Sequence, residues 1–167
     1  MSEMNSSIAE QIPRLRRYAR ALTGDRNRAD DLVQDTLERA WVKQHLWRRG
    51  SDLRAWMFSI MHNTFINQVR KSQLPMVEMD DDALEVPVRA TQEDGLHMRD
   101  LVSALVELPV EYREVVLLVG LEQMSYEEVA QVLGIPLGTV MSRLSRGRER
   151  LRTLMGGEAA PMLRRVK

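Results

Sequence analysis

The chain has 167 residues, of which 44% are hydrophobic and 29% are charged, and this composition is typical of a folded protein with a hydrophobic core. It contains no cysteine, which excludes disulfide bonds and thiolate metal sites. A polar N-terminus and the lack of a long apolar run argue against a signal peptide and a membrane span, and predict a cytoplasmic protein.

Charge is distributed unevenly, although the formal net charge is +0. Residues 76–100 contain eight acidic residues and two arginines, whereas residues 137–167 contain eight basic residues and two glutamates. A smaller basic cluster extends from Arg14 to Arg28. Because basic segments flank an acidic middle, the neutral total is compatible with a nucleic-acid partner.

Apolar residues at helical spacing predict three helices in the first 71 residues. The first runs from Ile8 to Leu22, and Gly24 prevents its continuation. The second runs from about Asn27 to Gln44, and the third from Asp52 to about Lys71. The residues expected to face a shared core are Ile8, Ile12, Leu15, Ala19, Leu22, Leu32, Val33, Leu37, Ala40, Trp41, Leu53, Trp56, Met57, Ile60 and Met61. The second helix then directs an acidic and polar row toward solvent or a partner, namely Asp31, Gln34, Asp35 and Glu38.

Residues 72–91 differ in kind from the helical segments around them. They contain Pro75, Pro87 and the acidic run Asp80–Asp82, and they carry no sustained apolar stripe. Prolines and like charges favour an extended linker over a helix. The sequence therefore predicts a domain boundary here, with one helical domain at residues 1–71 and another at residues 92–167.

Helical periodicity resumes near Leu96, and Pro109 suits the start of a further helix. Ser125 and Glu128 have the spacing of a capping box, in which the hydroxyl and the carboxylate accept hydrogen bonds from exposed backbone N–H groups. No segment alternates with the period of a β-strand. The predicted fold is all-α, with two small helical domains joined by a flexible acidic linker.

The C-terminal segment has the spacing of a helix-turn-helix. Ala130 is small where two helices cross, Gly134 follows at the turn, and Val140 provides the buried anchor of the second helix. The residues predicted to face inward on that helix are Val140, Leu144, Gly147 and Leu151, which leaves several arginines outward. A helix fits the major groove of DNA, and arginines can bond to guanine or to phosphates, so this segment predicts DNA binding.

Four segments resemble conserved regions of the sigma-70 family of transcription initiation factors, especially the extracytoplasmic-function (ECF) group, and they occur in the same order as in that family. "ADDLVQDTLERAW" (29–41) is similar to the region that binds core RNA polymerase, and "LRAWMFSIMHNTFINQVRK" (53–71) resembles the region that melts and captures the minus-ten element. "LPVEYREVVLLVGLEQMSYEE" (108–128) and "MSYEEVAQVLGIPLGTVMSRLSRGRERLR" (124–152) resemble the fourth conserved region and its lead-in. The resemblance extends from Ile8 to Leu154.

The resemblance implies three sets of binding residues and a role as a polymerase specificity subunit. Those implied to bind core polymerase are Asp31, Gln34, Asp35 and Glu38. Those implied to bind the melted promoter are His62, Asn63, Asn67, Arg70 and Lys71, with Phe58 and Phe65 as weaker candidates for base stacking. Those implied to bind the upstream duplex element are Thr139, Met141, Ser142, Arg143, Arg146, Arg148 and Arg150. The family also implies an anti-sigma factor as a further partner.

Three positions depart from the family's usual pattern. Met141 occupies a position where a basic residue is common, and His62 replaces a small residue before Asn63. Gly147 occupies a position where alanine is common, at an expected cost in helix stability of about 0.5–1 kcal/mol.

Two other functions compete with this interpretation. The first is an autonomous helix-turn-helix regulator, which leaves residues 29–71 unexplained and which usually dimerises on paired half-sites. The second is a helical hydrolase or nuclease that uses Asp30, Asp31, Asp35 and His45. The three histidines show no metal-ligand spacing, so we expect no metal, no cofactor and no enzymatic activity.

Overall fold

The computed structural model describes residues 2–72 and 92–156, and all regular structure in these ranges is helical. The predicted all-α fold is therefore confirmed. The helices are α1 (Ser2–Thr23), α2 (Arg26–Lys43), α3 (Leu53–Ser72), α4 (Gln92–Glu107), α5 (Val110–Gly120), α6 (Tyr126–Leu133) and α7 (Leu137–Leu154), with a short 3-10 turn at Gln44–Leu46. The predicted linker, apart from Ser72 at the end of α3, lies outside the described residues, as does the basic C-terminal segment 157–167.

Helix α1 begins six residues earlier than the apolar pattern predicts, at Ser2 rather than Ile8. Its first turns are polar and carry no apolar stripe, but half-buried Met4 packs against the core and extends the helix. The helix ends at Thr23, ahead of Gly24 as predicted. Asp25 then begins α2, because its side chain accepts a 2.9 Å hydrogen bond from the backbone N–H of Asn27.

The core of α1–α3 follows the predicted stripes except at Trp41 and at Ile12, which is partly buried but belongs neither to the hydrophobic cluster nor to the side chains packed against it. Leu15, Ala19 and Leu22 of α1 are fully buried, as are Leu32 of α2 and the α3 residues Met57 and Met61. The buried positions of α2 are Ala29, Leu32, Val33, Thr36 and Ala40.

Trp41 was predicted to face this core, and that prediction is wrong. Its exposed fraction is 53%, whereas the neighbouring Ala40 is fully buried. Successive residues of a helix are about 100° apart, so a stripe centred on Ala40 turns Trp41 outward. Thr36 lies outside the predicted apolar stripe and is nevertheless buried, because its hydroxyl donates a 2.7 Å hydrogen bond to the carbonyl of Leu32.

Helix α5 lies at the centre of the C-terminal helices. Every residue from Arg113 to Leu118 is buried, because α5 contacts α1 as well as α6 and α7. Helix α1 also contacts α4, and α3 contacts α6, so the two groups of helices pack against each other. Their buried side chains belong to one hydrophobic cluster. The fold therefore creates a junction between α1–α3 and α4–α7.

Candidate nucleic-acid interfaces

The C-terminal helices contain the predicted helix-turn-helix. The Ser125 side chain caps α6 by accepting a 3.1 Å hydrogen bond from the backbone N–H of Glu128. Gly134 ends α6 with a left-handed φ of 66°, a conformation that glycine adopts without the steric cost that other residues carry. The backbone N–H of Ile135 donates back to the carbonyl of Ala130 over 3.1 Å. Pro136 then precedes α7, the recognition helix of the motif.

The inner face of α7 is as predicted, with Val140, Leu144, Gly147 and Leu151 buried. Gly147 lowers the helix propensity of α7, but it also has a steric role. A Cβ atom added there would lie 2.8 Å from Cγ2 of Val116 and 3.2 Å from Cβ of Tyr112, both on α5. Glycine at this position therefore allows close approach of α7 and α5 that alanine would obstruct.

The opposite side of α7 presents the candidate duplex-binding residues. Met141, Ser142, Arg146 and Arg150 are exposed, while Thr139, Arg143 and Arg148 are half-buried. The Nε atom of Arg148 is buried and has no hydrogen-bond partner among the described residues. The helix thus brings together a polar and basic surface suited to phosphates and base edges.

Helix α3 presents a second candidate surface. Asn63, Asn67, Arg70 and Lys71 are exposed, and their spacing of four, then three and four residues, places them on one side of the helix. The structure does not place His62 with them, because its Nδ1 atom is hydrogen-bonded to Oε2 of the buried Glu114.

The aromatic residues of α3 belong to the core. Phe58 is 1% exposed and Phe65 is 5% exposed, so neither presents a free ring for base stacking. The ring of Phe58 meets that of Tyr18 edge to face, with centroids 5.1 Å apart and planes at 89°. This helix therefore exposes amide and basic groups but not the rings of Phe58 and Phe65.

Helix α2 carries the acidic and polar row expected to bind polymerase. Asp31, Gln34 and Glu38 are exposed, whereas half-buried Asp35 accepts a 2.8 Å hydrogen bond from Nε2 of Gln68 on α3. Beyond this row is an apolar patch that sequence reasoning missed, formed by Trp41, Val42 and Leu46, with exposed fractions of 53%, 70% and 63%. Contiguous apolar side chains at a surface are typical of a protein-binding site.

Polar contacts join the two groups of helices at their junction. Arg54 of α3 donates a 3.0 Å hydrogen bond to the backbone carbonyl of Glu122 and another of 3.0 Å to the carboxylate of Glu128. The Glu128 carboxylate thus serves the junction rather than the reciprocal half of the predicted capping box. Arg17 of α1 forms a 3.1 Å ion pair with the Glu122 carboxylate, which is almost fully buried.

Arg113 is the most extensively bonded side chain of the junction. Its guanidinium donates to the carbonyl oxygens of Leu105, Val106, Leu108 and, across the junction, Leu22. These oxygens lie at or near the C-terminal ends of α4 and α1, where helices leave carbonyl groups unpaired. Burial lowers the pKa of Arg113 from its ordinary value, while Glu114 and Tyr18 oppose that shift.

Tyr18 lies against the acidic side of the same junction. Burial raises the pKa of its phenol well above the ordinary value of 10.0, and the charges of Glu114 and Glu122 raise it further, while Arg113 opposes them. The sequence held one signal for this junction, since Arg113, Glu114 and Glu122 interrupt an otherwise apolar segment. Charged residues in such a segment are buried only when they have partners.

Metal sites and membrane-spanning helices are both absent from the described ranges. Between residues 2 and 72 and between 92 and 156, no cluster of three or more His, Asp or Glu side chains could hold a metal ion. None of the helices in those ranges combines the length and the hydrophobicity required to cross a membrane.

Two regions of the chain match sigma-factor families in the order the motifs predicted. Residues 8–62 match the family described as the Sigma2 domain of PhyR, and residues 98–151 match Sigma-70, region 4. The two matches therefore define a protein that carries sigma-type regions 2 and 4 on one chain.

Individual relatives establish the family. The ECF RNA polymerase sigma factor EcfG of Rhodopseudomonas palustris is 36% identical over 153 residues, which cover 91% of this chain and 84% of that protein. The ECF sigma factor SigM of Bacillus subtilis is 30% identical over 142 residues, covering 83% and 86% of the two proteins. The chain belongs to the ECF family of RNA polymerase sigma factors.

Solved structures agree with this assignment. The sigma factor RpoE, in complex with the anti-sigma factor NepR from Bartonella quintana, has 33% identity and a TM-score of 0.80, with 95% of this chain and 100% of that chain covered. CnrH in complex with the cytosolic domain of CnrY has 26% identity and a TM-score of 0.69, with 93% and 88% covered. Both similar folds were thus solved with a second protein bound.

Proposed function

We propose that this chain binds core RNA polymerase in the cytoplasm and directs it to specific promoters as a non-enzymatic initiation factor. The observation that carries the proposal is the pair of exposed surfaces on α3 and α7. They lie on two different helices, one in or next to each of the regions that match sigma regions 2 and 4. Two such surfaces on one chain suit recognition of melted and duplex DNA together.

The α3 surface is assigned to the melted minus-ten element. Asn63 and Asn67 carry exposed amides, which can donate to and accept from the edge of an unpaired base. Arg70 and Lys71 follow in the last turn of the helix, where they can pair with backbone phosphates. His62 is not assigned to this surface, since its ring is hydrogen-bonded to Glu114 of α5.

The α7 surface is assigned to the upstream duplex element. Thr139, Ser142, Arg143 and Arg146 lie within the first ten residues of the recognition helix, and the N-terminal part of this helix reaches base edges in other helix-turn-helix proteins. Arg148 and Arg150 follow them and are assigned to phosphates. Binding through these arginines should weaken steeply with salt, because each phosphate contact releases counterions.

Helix α2 is assigned to core polymerase through two adjoining features. Its exposed acidic row supplies charge complementarity for a basic partner, and the patch of Trp41, Val42 and Leu46 supplies apolar area. Asp35 is assigned a positioning role, because its hydrogen bond with Gln68 fixes α2 against α3. We further place the domain boundaries at residues 71 and 92, with the acidic segment as their linker.

An anti-sigma factor is proposed as the regulatory partner. The similar structures of RpoE with NepR and of CnrH with CnrY support this assignment, and the apolar patch of α2 gives a physical reason for capture. Binding of NepR from Bartonella quintana, measured by calorimetry and weakened in a Trp41→Ala variant, would support it. Initiation that no anti-sigma protein of the source organism inhibits would contradict it.

The experiment that tests the main proposal is reconstitution of the full chain with core polymerase on a random promoter library. We expect enrichment of a two-part promoter. Arg146→Ala should weaken initiation on duplex promoters but not on templates that retain only the melted minus-ten segment. Asn63→Ala should weaken initiation on both kinds of template, because its amide contacts the unpaired strand in each case.

The proposal would be overturned if no sequence in the library supported initiation. Footprinting of the free chain separates it from an autonomous regulator. Strong symmetric protection without polymerase would favour the regulator, whereas protection that requires polymerase would support the sigma-factor mechanism.

A further inference from the structure

Two large apolar side chains are exposed in the first turns of the recognition helix. Met141 is 52% exposed and Leu137, one turn earlier, is 41% exposed. Among the described residues, the other large hydrophobic side chains with such exposure are Trp41, Val42 and Leu46 near the end of α2, and Leu154 at the end of α7. Met141 and Leu137 therefore form an apolar pair within an otherwise polar and basic surface.

Packing within the chain does not account for this pair. Neither Leu137 nor Met141 belongs to the hydrophobic core or to the partly buried side chains packed against it. The helix is anchored instead by Val140, Leu144 and Leu151 on its inner face. Met141 is adjacent to Val140 in sequence, but the helical rotation of about 100° turns it toward the exposed side.

The chemistry of the major groove restricts what Met141 can recognise. Its thioether is at most a weak hydrogen-bond acceptor and carries no charge, so it can neither pair with a phosphate nor bond strongly to a base edge. The C5-methyl group of thymine is the apolar feature that unmodified bases present in the major groove. Exposed Ser142 and Arg146 on the same helix provide polar and charged contacts that would hold the helix against the duplex.

We infer that Met141 is a specificity-determining residue that contacts the C5-methyl group of a thymine in the upstream promoter element, with Leu137 completing the apolar contact. This inference rests on the assignment of α7 to that element. The apolar pair of Leu137 and Met141 therefore favours a thymine, on either strand, at one position of the upstream element. A basic residue at position 141 would bind phosphate or guanine instead.

The test replaces single thymines of the upstream element by deoxyuridine, which removes the methyl group and keeps base pairing. The holoenzyme is assembled from the full chain and core polymerase, and promoters are taken from the library selection. At one position we expect binding to fall about fourfold, the equivalent of one methyl group returned to water. In Met141→Ala the same replacement should lower binding by less than about twofold, because only the contact with Leu137 remains.

Two further variants sharpen the result. Leu154→Ala removes an exposed apolar side chain from the same helix, about 20 Å along its axis from Met141, and should retain the fourfold effect. Met141→Lys should lose the thymine preference and steepen the logarithmic salt dependence of binding by about 0.9, the value for one added phosphate contact.

The outcomes separate this inference from the proposed function. Absence of initiation at every promoter would overturn both. Normal initiation from an upstream element that contains no thymine would overturn the assignment of Met141 alone. Normal initiation from an element in which no deoxyuridine replacement changes binding would do the same. A methyl effect that remains fourfold in Met141→Ala would overturn it as well.

Discussion

The Nη1 group of Arg113 in α5 donates a 2.6 Å hydrogen bond to the backbone carbonyl of Leu22, near the C-terminal end of α1. The two residues are separated by 91 positions in sequence. This bond joins the helices that match sigma region 2 to those that match region 4. Because the same guanidinium also binds three carbonyl groups around the end of α4, one side chain stabilises both groups of helices.

Replacing Arg113 by methionine should lower the free energy of unfolding by about 3 kcal/mol, because several largely buried carbonyl groups lose their donor. Arg113→Lys should cause a smaller loss, since an ammonium group keeps the charge but cannot form the planar fork. Urea denaturation measures both values. Arg146→Met is the matched control at an exposed position, and we expect a change within about 0.5 kcal/mol. Equal effects at positions 113 and 146 would contradict the structural role.

The stability of the protein should fall in alkaline solution through Tyr18. Its pKa is raised in the folded state, so above pH 10 the unfolded chain releases the phenol proton while the folded chain retains it. The stabilisation from this group is therefore fully present below pH 10 and is lost as the pH rises, with a slope of about 1.4 kcal/mol per pH unit. Tyr18→Phe should remove this slope in urea titrations between pH 9 and about 11. An unchanged alkaline slope would show that the phenol is not responsible.

Contact between the two groups of helices should depend on Arg54 and Glu128. The chain contains no cysteine, so Ser6→Cys and Ser145→Cys introduce unique sites for a fluorescence distance measurement at exposed positions of α1 and α7. Arg54→Glu should lengthen the mean distance between the labels at positions 6 and 145, because two carboxylates, at positions 54 and 128, then face each other across the junction. Adding Glu128→Arg should restore part of the original distance. If the single charge reversal leaves the distance unchanged, this ion pair does not hold the helices together.

Gly147→Ala should destabilise the protein although alanine favours helices. The added methyl group would lie 2.8 Å from Val116 and 3.2 Å from Tyr112, closer than ordinary van der Waals contact, and the cost of overpacking exceeds the gain in helix propensity. We expect a net loss of about 1 kcal/mol in thermal or urea unfolding. Gly138→Ala is the control on the same helix, because nothing lies within 4 Å of its added Cβ, and it should be neutral or stabilising. A stabilising Gly147→Ala would indicate that α5 and α7 can separate without cost.

Trp41 should contribute to polymerase binding rather than to folding. Its side chain is more than half exposed, so Trp41→Ala should change the free energy of unfolding by less than about 1 kcal/mol. Affinity for core polymerase, measured by fluorescence anisotropy, should fall at least about tenfold, as for an aromatic residue central to an interface. Trp41→Phe keeps most of the apolar area and should retain most of the affinity. A large loss of stability with unchanged affinity would reverse this assignment.

The sequence by itself was sufficient to locate the helix-turn-helix and, apart from the first six residues of α1, the three N-terminal helices. Helical periodicity, the Ser125 cap and the left-handed turn at Gly134 depend on residues within a few positions of one another, so local patterns predict them. The inner face of α7 was also predictable, because a buried stripe follows from the helical period alone. The same local patterns placed Asn63 and Asn67 on one helix at a spacing of four residues.

Only the tertiary structure decided which of the remaining side chains face solvent and which are buried. The exposure of Trp41, the contact of His62 with Glu114 and the close approach at Gly147 all depend on which helix faces meet. The contacts of His62 with Glu114 and of Gly147 with Val116 join residues far apart in sequence, so no local period encodes them. Arg113, Glu114 and Glu122 interrupt an apolar segment, yet their partners are supplied by folding. Burial of these charges is possible because α1 brings the Leu22 carbonyl and Arg17 to the same junction and α3 brings His62.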